Sequence, residues 1–393
     1  MLKRKGLLFA CCRAALLTGV MCVIAAAFLG IGELYMRSAD GEQTIVLDQS
    51  YFTDSAGSGF RVESMSKHAV NFIIDKAELL NNDTLFFNNN DKNITGNQWG
   101  STLYHLEDER MESLLENEYI LQTAVSPGQN VMIYSYIGKD KQMGVSLYDA
   151  ANGEKLRELG NDNSWNFMPQ NRYYGVVDEH RYIVMAGADL WLLNLPDNQF
   201  QYIATLPLQV SKAPAYNISD PLLAFDDDYF PEMLVADNTL YVQLPTMDKN
   251  RLSMLVSVEL TSDSEPDIIR GEINDFTVLP GNNLLISGKF NGVDGLYLAE
   301  GLQASPKLLK EGTYSNLTAN PLRNAISFAT RANDGRIRLM AARLDNGKLT
   351  EEMTVYGDPG YVRMLQWRAD GQSLVCIAEE LTGSIIYQFR FSN

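Results

Sequence analysis

Asp370-Gly371-Gln372-Ser373-Leu374-Val375-Cys376 is the stretch whose reading decides the fold. It is a tight polar turn followed by a short apolar strand. The same grammar recurs upstream at 82–87 (NDTLFF), 127–133 (PGQNVMI), 178–184 (DEHRYIV), 236–242 (ADNTLYV), 280–286 (PGNNLLI) and 322–328 (LRNAISF). Gly, Asn and Asp supply the backbone freedom of a turn, and the run after it is too short for a helix but ample for a strand.

Each copy leads into a second strand, beginning near Leu103, Leu147, Leu190, Leu255, Leu296, Leu339 and Ile385. The successive spacings are 44, 43, 65, 41, 43 and 46 residues. A four-stranded propeller blade takes roughly 40–45 residues, so five of the six intervals fit a repeating blade. The interval of 65 predicts an insertion, placed at 210–229, where Pro214, Pro221 and the run Asp226-Asp227-Asp228 lie. A small sheet with two apolar faces cannot bury both by itself, whereas radial stacking covers them. The predicted class is therefore all-β: a β-propeller of about seven four-stranded blades, with six or eight also compatible. Paired β-sandwiches use short strands too, but they do not require a constant unit. The last copy reaches only three strands by Phe391, so Thr44 to Leu47 is the candidate for the ring-closing fourth strand.

The beginning of the chain has a different chemistry. Lys3, Arg4, Lys5 and Arg13 precede 19 uncharged residues, 14–32 (AALLTGVMCVIAAAFLGIG), closed by Glu33. About 20 helical residues cross a bilayer. The run continues past Ala25 and Ala27 through Phe28, Leu29 and Ile31, which favours a retained signal anchor over a cleaved signal. The positive-inside rule holds residues 1–13 in the cytoplasm and sends the rest across. The predicted order is a cytoplasmic segment 1–13, a transmembrane signal anchor 14–32, a stalk 33–68 and a propeller 69–393.

Composition narrows the chemistry. Against 32 Lys+Arg stand 49 Asp+Glu, a net charge of −17, and every basic residue of 1–32 lies before the apolar run. An exported part this acidic repels nucleic acid. Three of the four cysteines, Cys11, Cys12 and Cys22, fall at the membrane segment, leaving Cys376 without an intrachain partner. The Asn-x-Ser/Thr sequences at Asn82, Asn93, Asn217 and Asn316 are read as chance in an Asn-rich chain.

Catalytic signatures are lacking. There is no Gly-x-Ser-x-Gly elbow, phosphate-cradling loop or Rossmann fingerprint. His68, His105 and His180 are not spaced as metal ligands, and Asn88 to Asn93 lacks the Gly and Glu of a calcium loop, so no metal and no cofactor is expected. A propeller peptidase would need a further catalytic domain, for which the length leaves no room. Trp99, Trp165, Trp191 and Trp367 fall near different repeats and are read as packing between blades. The candidate binding residues are Asp226, Asp227, Asp228 and Tyr229 in the insertion, with Tyr173 and Tyr174 expected on a loop.

Trp367-Arg368-Ala369-Asp370-Gly371-Gln372-Ser373-Leu374 and Val125-Ser126-Pro127-Gly128-Gln129-Asn130-Val131 resemble the WD40-like repeats of the TolB type, and 278–284 is a fair third match. The resemblance spans roughly 77–393 through short, degenerate motifs. It implies a bacterial extracytoplasmic interaction module. The expected function is non-catalytic: binding a protein or cell-envelope ligand on a propeller face. Two alternatives stay open: an enzyme of lyase or glycosidase type in the central funnel, and a ligand sensor working through a second membrane protein.

Overall fold

The computed structural model describes residues 61–89, 100–116, 119–125, 131–137, 143–149, 154–159, 172–195, 197, 199–207, 233–245, 253–301, 303–332, 334–381 and 383–392. All of them belong to the compact unit Ile45–Asn393. The apolar run 14–32, the strand expected at 44–47 and the insertion 210–229 lie outside the described residues. Among the described residues, no helix is long and apolar enough to cross a membrane.

The described elements are antiparallel strands. β1 (Val62–Val70) is followed by a meander of β2 (Ile74–Leu79), β3 (Thr84–Asn89), β4 (Gly100–His105) and β5 (Arg110–Glu116). The second four-stranded sheet is β6 (Tyr119–Val125), β7 (Val131–Ile137), β8 (Met143–Asp149) and β9 (Glu154–Leu159). The third is β10 (Arg172–Val176), β11 (Arg181–Ala186), β12 (Asp189–Asn194) and β13 (Gln199–Thr205).

A seven-stranded sheet comes next: β14 (Met233–Ala236), β15 (Thr239–Pro245), β16 (Ser253–Glu259), β17 (Asp267–Leu279), β18 (Asn283–Phe290), β19 (Val293–Ala299) and β20 (Lys307–Glu311). Its middle strand serves twice. Asp267 to Gly271 of β17 pair with β16, and Glu272 to Leu279 pair with β18. One 13-residue strand is thus the outer strand of one four-stranded unit and the inner strand of the next.

The last two sheets are β21 (Tyr314–Ala319), β22 (Ala325–Arg331), β23 (Ile337–Asp345) and β24 (Lys348–Gly357), then β25 (Tyr361–Trp367), β26 (Ser373–Glu380) and β27 (Gly383–Phe391). β1 completes the final sheet, pairing antiparallel with β27 from Val62↔Phe391 to Val70↔Ser384. The closing strand therefore comes from the amino-terminal side, as the count of three strands required. It is Val62–Val70, however, drawn largely from the stretch read as a stalk. Its alternation, with Met65 and Val70 buried and Ser64 and His68 only half-buried, was hidden among polar neighbours.

Burial follows position in the sheet. Second and third strands such as β16 and β26 are buried almost continuously, as strands covered on both faces must be. Outer strands such as β9 and β20 are largely exposed and Lys/Glu-rich, which blunts an edge. Among the described residues, hydrophobic clusters join each unit to the next. Met132 and Tyr134 of the second sheet meet Phe86 and Leu103 of the first. Later clusters step from sheet to sheet, until Leu339 and Ala341 meet Leu374 and Cys376. The circuit closes where Val375 and Ile377 of the last sheet pack on Leu85 and Phe87 of the first.

Polar links reinforce these apolar layers. Ser253 Oγ donates to the Ile273 carbonyl at 2.6 Å and accepts from the Ile273 N–H at 2.8 Å. Ser384 Oγ accepts from the Ile74 N–H at 2.9 Å. In each case a third strand secures the start of the following inner strand. Gln243 also donates to the Ile273 carbonyl, so Ser253→Ala strands chiefly the buried N–H. We expect Ser253→Ala to cost about 1–3 kcal/mol in chemical unfolding, and Ser253→Thr, which keeps the hydroxyl, to cost clearly less.

Candidate functional site

In these meanders, the turns between second and third strands and the connections between sheets lie at one end. At that end the inner strands β21 and β25 begin, as does the inner part of β17 from Glu272, and all three are bulged. The pairing register shifts between Ile273 and Asp275, between Ser315 and Thr318, and between Val362 and Met364. A bulge adds a residue and re-aims side chains, and bulges concentrate beside functional sites. Here they bring Asn274, Asp275, Asn316 and Arg363 to one cavity of about 450 Å³. Thr313, Ser315, Thr330, Arg331 and Tyr361 add to its wall, with Ala329, Ile337 and Val362 as its apolar part. Asn316 holds φ at 53°, a left-handed conformation that Asn tolerates better than most residues.

Asp275 is the central charge. It is crowded by protein on nearly every side yet keeps part of its surface open to the cavity. Loss of hydration raises its pKa to about 6, against the pull of backbone N–H groups of Leu317, Phe276 and Asn316. The Leu317 N–H lies 2.8 Å from Oδ2. Gln122 occupies the matching place in the second sheet: it also follows a bulge and sits opposite a serine. Gln122 bonds both the Tyr174 N–H and carbonyl at 3.2 Å. Clamping the next inner strand is thus a structural use of this position, and Asp275 performs it while adding a titratable group.

The cations differ in their engagement. Arg363 Nε donates to Glu379 at 2.8 Å, Nη2 contacts the same carboxylate oxygen, and the guanidinium lies 4.8 Å from the Tyr361 ring centroid. Among the described residues Arg331 has no side-chain partner. A second cavity of about 550 Å³ opens at the other end, between β18–β20 and β21–β24. Its Arg323 already donates to the Ser392 carbonyl at 3.2 Å, and the cavity sits in one seam instead of a convergence of inner strands.

The residues singled out from sequence are not gathered here. Asp226, Asp227, Asp228 and Tyr229 lie outside the described residues. Tyr173 and Tyr174, expected on a loop, are on strand β10. Neighbours on a strand face opposite ways: Tyr174 is buried against the second sheet, and Tyr173 packs half-buried toward β14–β16. Trp367 is buried beside Phe391, and Trp191 stacks edge-on with Tyr202, both packing roles; Trp99 and Trp165 lie outside the described residues. His68, His105 and His180 each face a single glutamate, Glu109, Glu112 and Glu179. Among the described residues no group of three His, Cys, Asp or Glu could hold a metal ion. Cys376 is fully buried, and burial pushes its thiol pKa far up.

No protein-family model and no curated protein matches the chain. Solved structures do. A chain of the mitotic checkpoint complex is similar at 12% identity and TM-score 0.56, over 89% of this chain and 98% of that one. The β-propeller domain of the trilobed protease from Pyrococcus furiosus is similar at 11% identity and TM-score 0.53, over 82% and 94%. An acylaminoacyl peptidase from Pyrococcus horikoshii gives 11% and 0.53, over 81% of this chain but only 51% of the peptidase. At such identities the likeness shows the fold alone: the chain carries a β-propeller of the WD40-like kind.

Asp275 gives a pH prediction. Its folded pKa lies above the unfolded carboxylate value, so its stabilising contribution is present at low pH and lost as pH rises through about 6. Between pH 7.5 and 5, the Tm of the wild type should rise by about 2–4 °C relative to Asp275→Asn. Asp275→Ala, which removes the clamp, should unfold below both at every pH.

Proposed function

We propose that the chain is a single-pass membrane protein whose carboxy-terminal domain is a seven-bladed, TolB-like propeller outside the cytoplasm, acting as a non-catalytic binding module. The anchor reading rests on the 19 uncharged residues of 14–32 behind four basic residues. The blade count rests on β17 serving two units and on the closed circuit of core layers. The ligand is a protein or cell-envelope component, and the insertion 210–229 is the proposed additional contact.

One observation carries the binding reading: among the described residues, the end where the inner strands start combines a polar cavity with exposed apolar and aromatic side chains. Tyr361 is 59% exposed beside the polar cavity, and Ile73 and Leu381 stand exposed in a connection and a turn at the same end. Exposed large apolar and aromatic groups around a polar pocket are the makings of a recognition surface. An enzyme acting in the funnel draws on Asp275 as an acid or base of raised pKa. Glu379, the other nearby carboxylate, is tied to Arg363.

In cells stripped of any outer membrane, added protease should reach the part carboxy-terminal to residue 33; full protection until the inner membrane is lysed would contradict the orientation. In cross-linking from solubilised envelopes, Tyr361→Ser with Leu381→Ser should lose most of the wild-type adducts while keeping the wild-type Tm. Unchanged adducts would place recognition elsewhere.

A further inference from the structure

On an acidic chain the positive charge near this cavity stands out. The hairpin from β22 to β23 carries Arg331, Arg336 and Arg338, and Arg363 stands across from it on β25. Three of these are committed to carboxylates: Arg336 reaches Asp358 at 4.0 Å, Arg338 reaches Asp334 at 3.6 Å, and Arg363 holds Glu379. Arg331 lines the cavity with no such partner among the described residues. The negative groups beside it are already satisfied: Asp275 by backbone N–H donors and Glu379 by Arg363.

Ile337, the cross-strand partner of Arg331, lines the cavity with Ala329 and Val362, and the rest of the wall is polar. Ser315 and Thr313 are exposed, and Asn274 and Asn316 present amides. Tyr361 offers an aromatic face already bearing a cation. The volume of about 450 Å³ falls within the range for small-molecule sites. A planar guanidinium is suited to a carboxylate or phosphate, which it can grip with two parallel bonds. Hydroxyls and amides suit a polyol.

Resting on the binding reading above, we propose that this cavity takes an acidic sugar or similar polyol acid, with Arg331 anchoring its carboxylate or phosphate. Thr313, Ser315 and Asn274 face the hydroxyls, and the ring of Tyr361 covers the less polar side of the ligand. The rest of the surface repels anions at long range, so selectivity is local to this cavity and weakens with salt.

The test is ligand-observed NMR on the full chain in detergent micelles, with D-glucuronate, glucose 6-phosphate and D-glucose as probes. We expect saturable binding of at least one anion, with glucose weaker by about tenfold or more. The preferred anion distinguishes a carboxylate source from a phosphate source. Arg331→Met should abolish the preference, and Arg331→Lys should retain part of it. Arg331 is exposed at a strand end, so an unchanged Tm confirms that both variants fold. Glucose binding as well as the anions, or an Arg331→Met variant that keeps the preference, would overturn the anion assignment while leaving the cavity a binding site. No saturable binding by any probe would overturn the small-ligand proposal; the cross-linking loss at Tyr361 and Leu381 would then still stand for the wider reading.

Discussion

The antiparallel pairing of β1 with β27 is the constraint on which the rest of the architecture depends. It joins Val62–Val70 to Gly383–Phe391, the two ends of the described chain. Each sheet is apolar on both faces and stays in water-excluding contact only if it has a neighbour on each side. The last sheet must therefore meet the first, and its outer edge must not be left open. β1 meets both needs. Val62 and Met65 enter the cluster with β22–β27, and Val70 enters the cluster with the first sheet. Gly383 shows how close the seam is: a Cβ there would collide with the Val70 carbonyl oxygen.

Given a closed circuit, the joints between neighbouring units must satisfy buried backbone groups. The chain solves this with single side chains reaching across: Ser384 to Ile74, Ser253 to Ile273, Ser287 to the Tyr314 carbonyl, Gln122 to Tyr174 and Gln366 to Leu79. Asp275 is the acidic version of this joint. Gln122 and Asp275 each follow a bulge in an inner strand, and bulges of the same kind lie at the inner strand starts around the cavity. The candidate site therefore grows from the joinery of the fold, and Arg331, without a side-chain partner among the described residues, is what distinguishes it.

Much of the fold was legible because propeller-type repetition writes itself into spacing. All seven quoted turn–strand stretches correspond to the second strands β3, β7, β11, β15, β18, β22 and β26. The strands placed near Leu103, Leu147, Leu190, Leu255, Leu296, Leu339 and Ile385 are the third strands. Polar first and outer strands were harder to see. β1 has a broken alternation, and β17 passes from one unit to the next with no turn at all. The site was nearly invisible: a bulge is a one-residue slip in pairing, which leaves no mark in a single sequence. Asp275, Asn316 and Arg331 are ordinary strand residues until the inner strands β17 and β21 and the second strand β22 bring them together. Tyr173 and Tyr174, expected on a loop, each serve a different face of strand β10.

Hydrogen exchange read by mass spectrometry on the full chain tests the closure most directly. Alternate amides of β1 that bond β27 should be protected to the same degree as those of β27 itself, and both should open together. If residues 62–70 exchange as fast as unstructured chain while 383–391 stay protected, the ring is not closed by this strand and the account fails.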